Sequence, residues 1–241
     1  MNKLKHLSIL ASTFFSYQRR DLRCRHLPTR IWIEPTNACN LRCIMCPSSI
    51  SKKKKGFMEL DPFKKIIDET EEFTYDIMLY LGGESLLHPD IVQMVEYTSR
   101  AGLICQLNTN TTLLTQELSS SLIKAGLSRI VFSFDGYNKE TYEKIRVGAN
   151  FDKTLSNIVE FLKLKQELRS KKPEAIFQII EFGKANEEEK RRFKNSLANL
   201  SLNRFKFISP HTFGGRFKEH DKVKGNSYAP CTFLWYSMSI L

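Results

Sequence analysis

Residues 30–47 read Arg-Ile-Trp-Ile-Glu-Pro-Thr-Asn-Ala-Cys-Asn-Leu-Arg-Cys-Ile-Met-Cys-Pro, and this stretch decides both the fold and the chemistry of the chain. Its first five residues are typical of a β-strand. Three cysteines follow, Cys39, Cys43 and Cys46, at spacings of four and three positions. We therefore expect a strand that leads into a loop whose thiols converge on one inorganic centre.

The crowding of three cysteines into eight residues favours metal ligation over disulfide bonds, because the chain is large and shows no secretory signal. Iron–sulfur clusters are held by cysteine thiolates, usually four, so three thiolates leave one iron open for an exogenous ligand. A structural zinc ion is one alternative, but it needs a fourth ligand and none lies nearby in the sequence. Three buried structural cysteines are the other.

Outward from this stretch, the chain alternates between strand-like and helix-like segments. Strands are predicted at 30–34, 76–81, 103–108, 128–134, 175–180 and 203–208. Helices are predicted at 61–72, 89–100, 115–125, 151–169 and 186–200. Such alternation predicts an α/β fold with a parallel sheet and helices outside it.

Six strands are too few for a closed eight-stranded barrel, so we predict a partial (β/α)6 TIM-like barrel over residues 30–209. A doubly wound sheet is the alternative topology. Both folds place the functional site at the carboxyl ends of the strands.

The two ends of the chain differ in composition from this predicted barrel. Residues 1–29 are basic and partly amphipathic, which predicts a helical extension on the outside of the domain; a helix at a membrane surface is the alternative. Residues 210–241 have a polar, Gly-containing first part and an apolar end. We expect a linker and the start of a second, incomplete module there, or alternatively a tail that packs on the barrel.

The bulk properties narrow the range of functions. The formal net charge is +11, but the basic residues are dispersed and no nucleic-acid-binding module is evident, so no nucleic-acid partner is predicted. No apolar run is long enough to span a bilayer. Because the cysteine cluster needs reducing conditions, a cytoplasmic location is predicted.

Cys39-x3-Cys43-x2-Cys46 resembles the CxxxCxxC signature of the radical S-adenosylmethionine (radical SAM) superfamily. The flanking residues resemble its branch with C-terminal SPASM or twitch modules, and Cys231 resembles the first cysteine of such a module. The resemblance implies a 4Fe-4S cluster held by the three cysteines, with S-adenosylmethionine bound at the fourth iron. It also implies reductive cleavage to a 5′-deoxyadenosyl radical, hydrogen abstraction from a substrate, and a reductant such as flavodoxin or ferredoxin.

Further matches follow the predicted strands. Gly82, Gly83 and Glu84 resemble the GGE motif, whose backbone and carboxylate hold the amino group of the cofactor; a turn is the alternative. Asn110 lies in an element that resembles the Thr-Asn-Gly motif of the family, although Thr111 replaces the glycine. The alternative is that Asn110 and its polar neighbours only cap and turn the chain.

Other residues are assigned to the cofactor by position or by resemblance. Ser133 and Asp135 resemble the Ser-x-Asp-Gly element, with an Asp-Gly turn as the alternative. Arg146 resembles the basic residue that pairs with the carboxylate of the cofactor, and a solvated helix-end arginine is the alternative. Met45 is expected to shield the cluster or the adenine, with loop packing as the alternative, and Gln178 is expected to contact the adenosyl group, with hydrogen bonding within the core as the alternative. No catalytic residue is assigned.

The substrate is the least specified part of the prediction. Many peptide-modifying relatives carry a peptide-recognition domain before the barrel, and 29 residues are too few for one. We therefore expect a small-molecule or sugar-like substrate, with a peptide-modifying (RiPP or sulfatase-maturase-like) enzyme as the alternative. A non-catalytic zinc- or cluster-binding protein is the alternative from another class.

Overall fold

The computed structural model describes residues 3–182, 186–210 and 231–241. These residues contain one seven-stranded sheet in the order β6-β5-β4-β3-β2-β1-β7, and every pair of neighbours is parallel. The strands are β1 Arg30–Ile33, β2 Asp76–Leu79, β3 Ile104–Thr109, β4 Arg129–Ser133, β5 Glu174–Ile180, β6 Arg204–Ile208 and β7 Ser237–Ile240. Because β1 to β6 neighbour each other in chain order, without the reversal of a doubly wound sheet, the predicted open barrel is confirmed.

Helices connect consecutive strands, and right-handed crossovers place such helices on one face of a parallel sheet. The α-helices of the described residues are α1 Lys3–Arg19, which precedes β1, and α2 Leu60–Thr70, α3 Ile91–Arg100, α4 Gln116–Lys124, α5 Lys139–Ile145, α6 Phe151–Glu167, α7 Glu187–Ser196 and α8 Phe233–Tyr236. Helix α5 was not predicted. Asn138 caps its start, where the Asn138 side chain accepts a hydrogen bond from the Thr141 amide, and Arg146 directly follows its last residue.

The two faces of the sheet have different chemistry, because successive strand residues point to opposite sides. Fully buried apolar side chains such as Ile31, Leu107 and Phe132 face the helices and form the core. The opposite face carries Gln106 and Gln178, which alternate with those core positions along their strands. The core therefore lies between sheet and helices, while the inner face of the barrel is free for polar chemistry.

A chain of ion pairs links the amino-terminal ends of five strands. Asp76, buried at the start of β2, pairs with Arg30 of β1 and, at 3.4 Å, with Arg129 of β4. Glu174 of β5 pairs with Arg129 at 3.2 Å and with Arg204 of β6 at 2.9 Å. These charges stabilise the end of the barrel opposite the expected site.

The apolar end of the chain joins the sheet rather than standing apart from it. Strand β7 pairs with β1 in parallel register, from Ser237 opposite Arg30 to Ile240 opposite Ile33. This is the seventh strand, which the sequence analysis did not count. Residues 211–230 of the predicted linker lie outside the described residues, and the assignment of 210–241 to a second module stays a prediction.

Within the described ranges, no helix combines the length and the apolar character needed to cross a bilayer.

Candidate active site

One cavity of about 380 Å³ lies at the carboxyl ends of the strands, where the fold predicts the site. Of the predicted site residues, all but one line it: Cys39, Cys43, Met45, Cys46, Gly82, Gly83, Glu84, Asn110, Ser133, Arg146 and Gln178. The exception is Asp135. Residues that lie far apart in the sequence are thus brought together because their strands end at the same rim.

The cysteine loop is held on two sides by backbone hydrogen bonds. On one side, the Ala38 carbonyl accepts from the Glu84 amide at 2.8 Å. On the other, the Arg42 amide donates to the Val147 carbonyl and the Ile44 amide donates to the Ile145 carbonyl, at 2.9 and 3.0 Å. The cysteine loop is therefore attached on one side to the segment that follows β2. On the other side it is attached to Ile145 and Val147, the two residues that flank Arg146.

The three cysteines carry free thiols in different surroundings. Cys43 is buried, and burial raises the pKa of its thiol to about 11. Burial also raises the pKa of the Cys39 thiol, while a hydrogen bond from the Leu41 amide at 3.5 Å opposes that rise. A thiol that is shielded from water loses its proton mainly when it binds a metal. The cysteine loop therefore suits a metal centre.

The three cysteines and their surroundings suit some metal centres better than others. No three Cys, His, Asp or Glu side chains of the described residues converge closely enough to hold a single ion. The cysteines of a 4Fe-4S cluster bind different iron atoms, so their sulfur atoms need not share one coordination sphere. Among the described residues lining the cavity there is no histidine and no fourth cysteine. This set fits a cluster with one open iron better than a tetrahedral zinc site.

Two glycines pack directly against the cysteine loop. A Cβ atom built on Gly83 would lie 2.1 Å from the Thr36 carbonyl oxygen and 2.5 Å from that of Ala38. The amide of Gly82 donates to the Glu34 Oε1 atom at 2.7 Å, where a Cβ would lie 2.8 Å from the same oxygen. At Gly83, where the neighbouring atoms belong to the backbone, only glycine allows this close approach.

The Glu84 carboxylate is buried and ties β2 to β3. It accepts hydrogen bonds from the Leu86 amide at 3.1 Å, the Thr109 hydroxyl at 2.8 Å and the Asn110 amide at 2.7 Å. Burial nevertheless raises the pKa of this carboxyl, and the three hydrogen bonds only reduce the rise. No cationic side chain in the described residues lies within ion-pair distance of it, so a cationic ligand would offset its burial.

The structure explains how Thr111 stands where the family motif has glycine. Thr111 adopts a left-handed backbone with φ of 63°, a conformation that costs a β-branched residue free energy. Its amide donates to the Thr109 hydroxyl at 2.9 Å, and its carbonyl accepts from the Asn157 side chain at 2.9 Å. These contacts keep the turn in the shape that a glycine would adopt freely, and Asn110 still lines the cavity.

Asp135 lies in a place that the prediction did not anticipate. Its carboxyl is fully buried beside the cavity rather than lining it, and it accepts from the Ile180 amide at 2.7 Å. Its other oxygen lies 2.6 Å from Arg146 Nη2. Asp135 thus ties β4 to β5 and orients Arg146, so its contact with a cofactor is indirect in this geometry.

Arg146 is also buried, yet it lines the cavity. Burial lowers the pKa of the guanidinium, but Asp135, Cys43 and Tyr142 together outweigh that effect, and the net shift is upward. Among the described residues its Nε has no hydrogen-bond partner. A fixed cation with a free donor beside the cysteines suits a carboxylate ligand.

Asp135→Asn should destabilise the protein strongly, because it leaves the buried guanidinium of Arg146 without a counter-charge. Breaking a buried pair by removing one partner typically costs about 3–5 kcal/mol of the free energy of unfolding. Urea denaturation measures the loss. The exposed pair of Lys139 and Asp152, 3.2 Å apart, provides the control, and Asp152→Asn should cost less than about 1 kcal/mol. Equal losses in the two variants would contradict the account of Asp135.

Three polar residues of the inner face were not predicted as site residues. Tyr80 and Asn108 line the cavity, and Gln106 lies beneath them. The Gln106 side-chain amide donates to the Asn108 Oδ1 atom at 2.9 Å and to the Tyr80 hydroxyl at 3.5 Å. In the sequence, these residues could have been recognised as polar residues at inward-facing positions, at or near the carboxyl ends of β2 and β3.

His88 lies behind this rim and has a structural role. Its Nδ1 accepts from the Asp90 amide at 3.0 Å, which places the proton on Nε2, and Nε2 donates to the Met58 carbonyl at 2.8 Å. Both ring nitrogens are therefore used in holding the segment before α3.

An open parallel barrel that gathers three cysteines, a buried carboxylate and a buried guanidinium in one cavity fits the class of folds that hold an iron–sulfur cluster beside an organic cofactor. The chain belongs to the Radical SAM superfamily, whose family model matches residues 33–191. Enzymes of this superfamily use a 4Fe-4S cluster and S-adenosylmethionine, and the predictions of family, enzyme class and cofactors are confirmed.

Curated relatives match part of the chain. An AdoMet-dependent heme synthase of Methanosarcina barkeri is 38% identical over 133 residues, covering 54% of this chain and 38% of the relative. The tungsten-containing aldehyde ferredoxin oxidoreductase cofactor-modifying protein of Pyrococcus furiosus is 31% identical over 178 residues, covering 71% of this chain and 49% of the relative. The chain thus spans half or less of the length of these relatives.

The fold has a counterpart among solved structures. Streptococcus suis SuiB bound to S-adenosylmethionine superposes with a TM-score of 0.66 at 15% identity, covering 83% of this chain and 44% of that chain. The likeness supports the architecture of the barrel.

Proposed function

We propose that Cys39, Cys43 and Cys46 hold the 4Fe-4S cluster of this chain and that S-adenosylmethionine binds in the cavity between them and Glu84. The observation that carries the proposal is that the three cysteines and Glu84 line one cavity at the carboxyl ends of the strands. When bound and reduced, this pair supplies the 5′-deoxyadenosyl radical that abstracts hydrogen from a substrate.

Different residues around the cavity would bind different groups of the cofactor. The Glu84 carboxylate, buried without a cationic partner in the described residues, would accept from the ammonium group. Arg146, with a free Nε donor, would bind the carboxylate. Ser133, Asn110 and Gln178 would contact the ribose and adenine, and Gly83 lets the β2 end approach the cysteine loop.

We infer a small, polar substrate. The hydrogen-bonded group of Tyr80, Gln106 and Asn108 offers hydroxyl and amide atoms on the inner face, beside the cavity, and suits hydroxyl-rich or amide-bearing ligands. The names of the two curated relatives, a heme synthase and a cofactor-modifying protein, also refer to small molecules. A peptide substrate is the second candidate, and the following experiment separates the two.

The reconstituted protein would be incubated anaerobically with S-adenosylmethionine, dithionite and one of two fractions, a protease-treated metabolite extract or a peptide pool. We expect the metabolite extract to increase 5′-deoxyadenosine formation above the substrate-free rate. Tyr80→Phe, which removes one hydroxyl, should reduce that increase by a larger factor than it changes the substrate-free rate. New cross-links in the peptide pool, with no response to metabolites, would establish the peptide alternative instead.

The supply of electrons and the cellular location are part of the same proposal. All six cysteines are free thiols in the structure, which suits a reducing cytoplasm. A low-potential protein such as flavodoxin or ferredoxin would serve as the reductant. The rival from another class, a zinc-binding structural protein, is tested by metal analysis after anaerobic purification, and zinc without iron or sulfide would overturn the enzyme proposal.

A further inference from the structure

Helix α1 packs on the protein with its less apolar face. The partly buried side chains of α1 are Ile9, Thr13, Ser16 and Tyr17, of which two are small and polar. Leu7 and Phe14, spaced by seven residues and so on one side of the helix, are 60% and 56% exposed. An amphipathic helix in a soluble domain normally buries its apolar side, so this orientation leaves an apolar surface for a partner.

The orientation of α1 is fixed by contacts to the end of the chain. The ring of Tyr17 meets that of Trp235 edge to face at 5.3 Å, and Trp235 Nε1 donates to the Asp21 carbonyl at 3.1 Å. His26 contacts the Trp235 carbonyl at 2.6 Å. Because Trp235 anchors both ends of the segment from Tyr17 to His26, the helix cannot simply rotate its apolar face inward.

The surface next to this apolar face is strongly basic. Residues 1–29 contain six Lys and Arg and a single acid, Asp21. Arg19, Arg23 and Arg25 line an open cleft of about 1160 Å³ between α1 and the segment that follows it. Phe15, 53% exposed, lies at the same cleft, with Arg19 over its ring at 5.9 Å. Aromatic and aliphatic side chains are thus bordered by guanidinium groups.

We propose that residues 7–27 form a docking surface for an anionic lipid bilayer, with the apolar face of α1 inserted at the headgroup boundary and the arginines on lipid phosphates. Apolar side chains bordered by arginines match the apolar interior and the negative surface of such a bilayer. A second copy of the chain is a poorer occupant, because it would bring two patches of the same charge together.

The proposal is tested by vesicle co-sedimentation of the full chain. We expect binding to vesicles of phosphatidylglycerol and phosphatidylcholine, little binding to phosphatidylcholine alone, and weakening as salt rises. Phe14→Ser with Phe15→Ser should weaken binding about tenfold or more. Arg23→Gln with Arg25→Gln should have a similar effect, since each arginine near an anionic surface contributes several-fold to binding.

Matched controls make the result specific to this surface. Leu168→Ser removes another exposed apolar side chain, and Lys153→Gln with Lys163→Gln removes two exposed charges from α6; neither variant should change binding. Equal binding to neutral vesicles, equal losses in the controls, or no binding at all would overturn the proposal. So would a stable dimer that dissociates when Phe14 and Phe15 are replaced.

Discussion

Cys43→Ala will reduce 5′-deoxyadenosine formation from S-adenosylmethionine to the background of the protein-free reaction. Cys43 is the most deeply buried of the three cysteines that line the cavity, and its thiol is desolvated enough to raise its pKa to about 11. An alanine there leaves two protein ligands for a cluster that needs at least three, so the cluster is lost or labile. Anaerobic assay by liquid chromatography, together with iron and sulfide analysis, measures the effect.

Cys105→Ala is the control for the loss of a buried thiol as such. Cys105 is also fully buried, but it faces the helices in β3 and does not line the cavity. Its replacement should lower stability slightly and leave iron content and product formation close to those of the unaltered protein. If Cys43→Ala retained its cluster and its activity, or if both variants lost them equally, the assigned ligand set would be wrong.

Gly83→Ala will lower the same activity by about a hundredfold or more, although it removes none of the side chains proposed to bind the cluster or the cofactor. A Cβ atom at this position would lie 2.1 and 2.5 Å from the carbonyl oxygens of Thr36 and Ala38. Both obstacles are backbone atoms, so either the end of β2 or the cysteine loop must move. A displacement of about 1 Å between reacting groups is enough to cost about a hundredfold in rate.

Gly56→Ala is the matched control, because a Cβ there meets nothing within 4 Å and Gly56 hydrogen-bonds to the same loop through Thr36. Its product formation should equal that of the unaltered protein. Binding of S-adenosylmethionine by the two variants, measured by equilibrium dialysis, would show whether Gly83→Ala acts on the cofactor site. Unchanged activity in Gly83→Ala would mean that the close approach of the two backbones is not required.

Much of the barrel could be predicted because its signals are local. Strands such as β4 and β5 are short apolar runs between turn residues, and α4 begins at Thr115 and ends before Gly126, as its capping residues indicate. The rule that parallel strands present their carboxyl ends together then placed Cys43, Glu84 and Gln178 in one cavity. That rule required no knowledge of side-chain contacts.

The remaining features depended on contacts between distant parts of the chain. Asp135 follows a strand and precedes glycine, which suits a ligand or a turn equally; only its packing against Arg146 and Ile180 decides its role. Helix α5 is only seven residues long, and its one clear signal is the capping residue Asn138. Strand β7 lies in the end of the chain that reads as apolar, but Ser237 and Ser239 interrupt the apolar pattern, and its place beside β1 is set by a pairing between distant residues.

The most direct test of the account is the electron paramagnetic resonance spectrum of the reconstituted, reduced protein before and after S-adenosylmethionine is added. We predict the signal of one 4Fe-4S cluster that changes shape on addition of the cofactor, because one iron is open to it. The same change should be absent in Cys43→Ala. A cluster spectrum that does not respond to the cofactor, or a protein that binds zinc and no cluster, would contradict the assignment of the cavity.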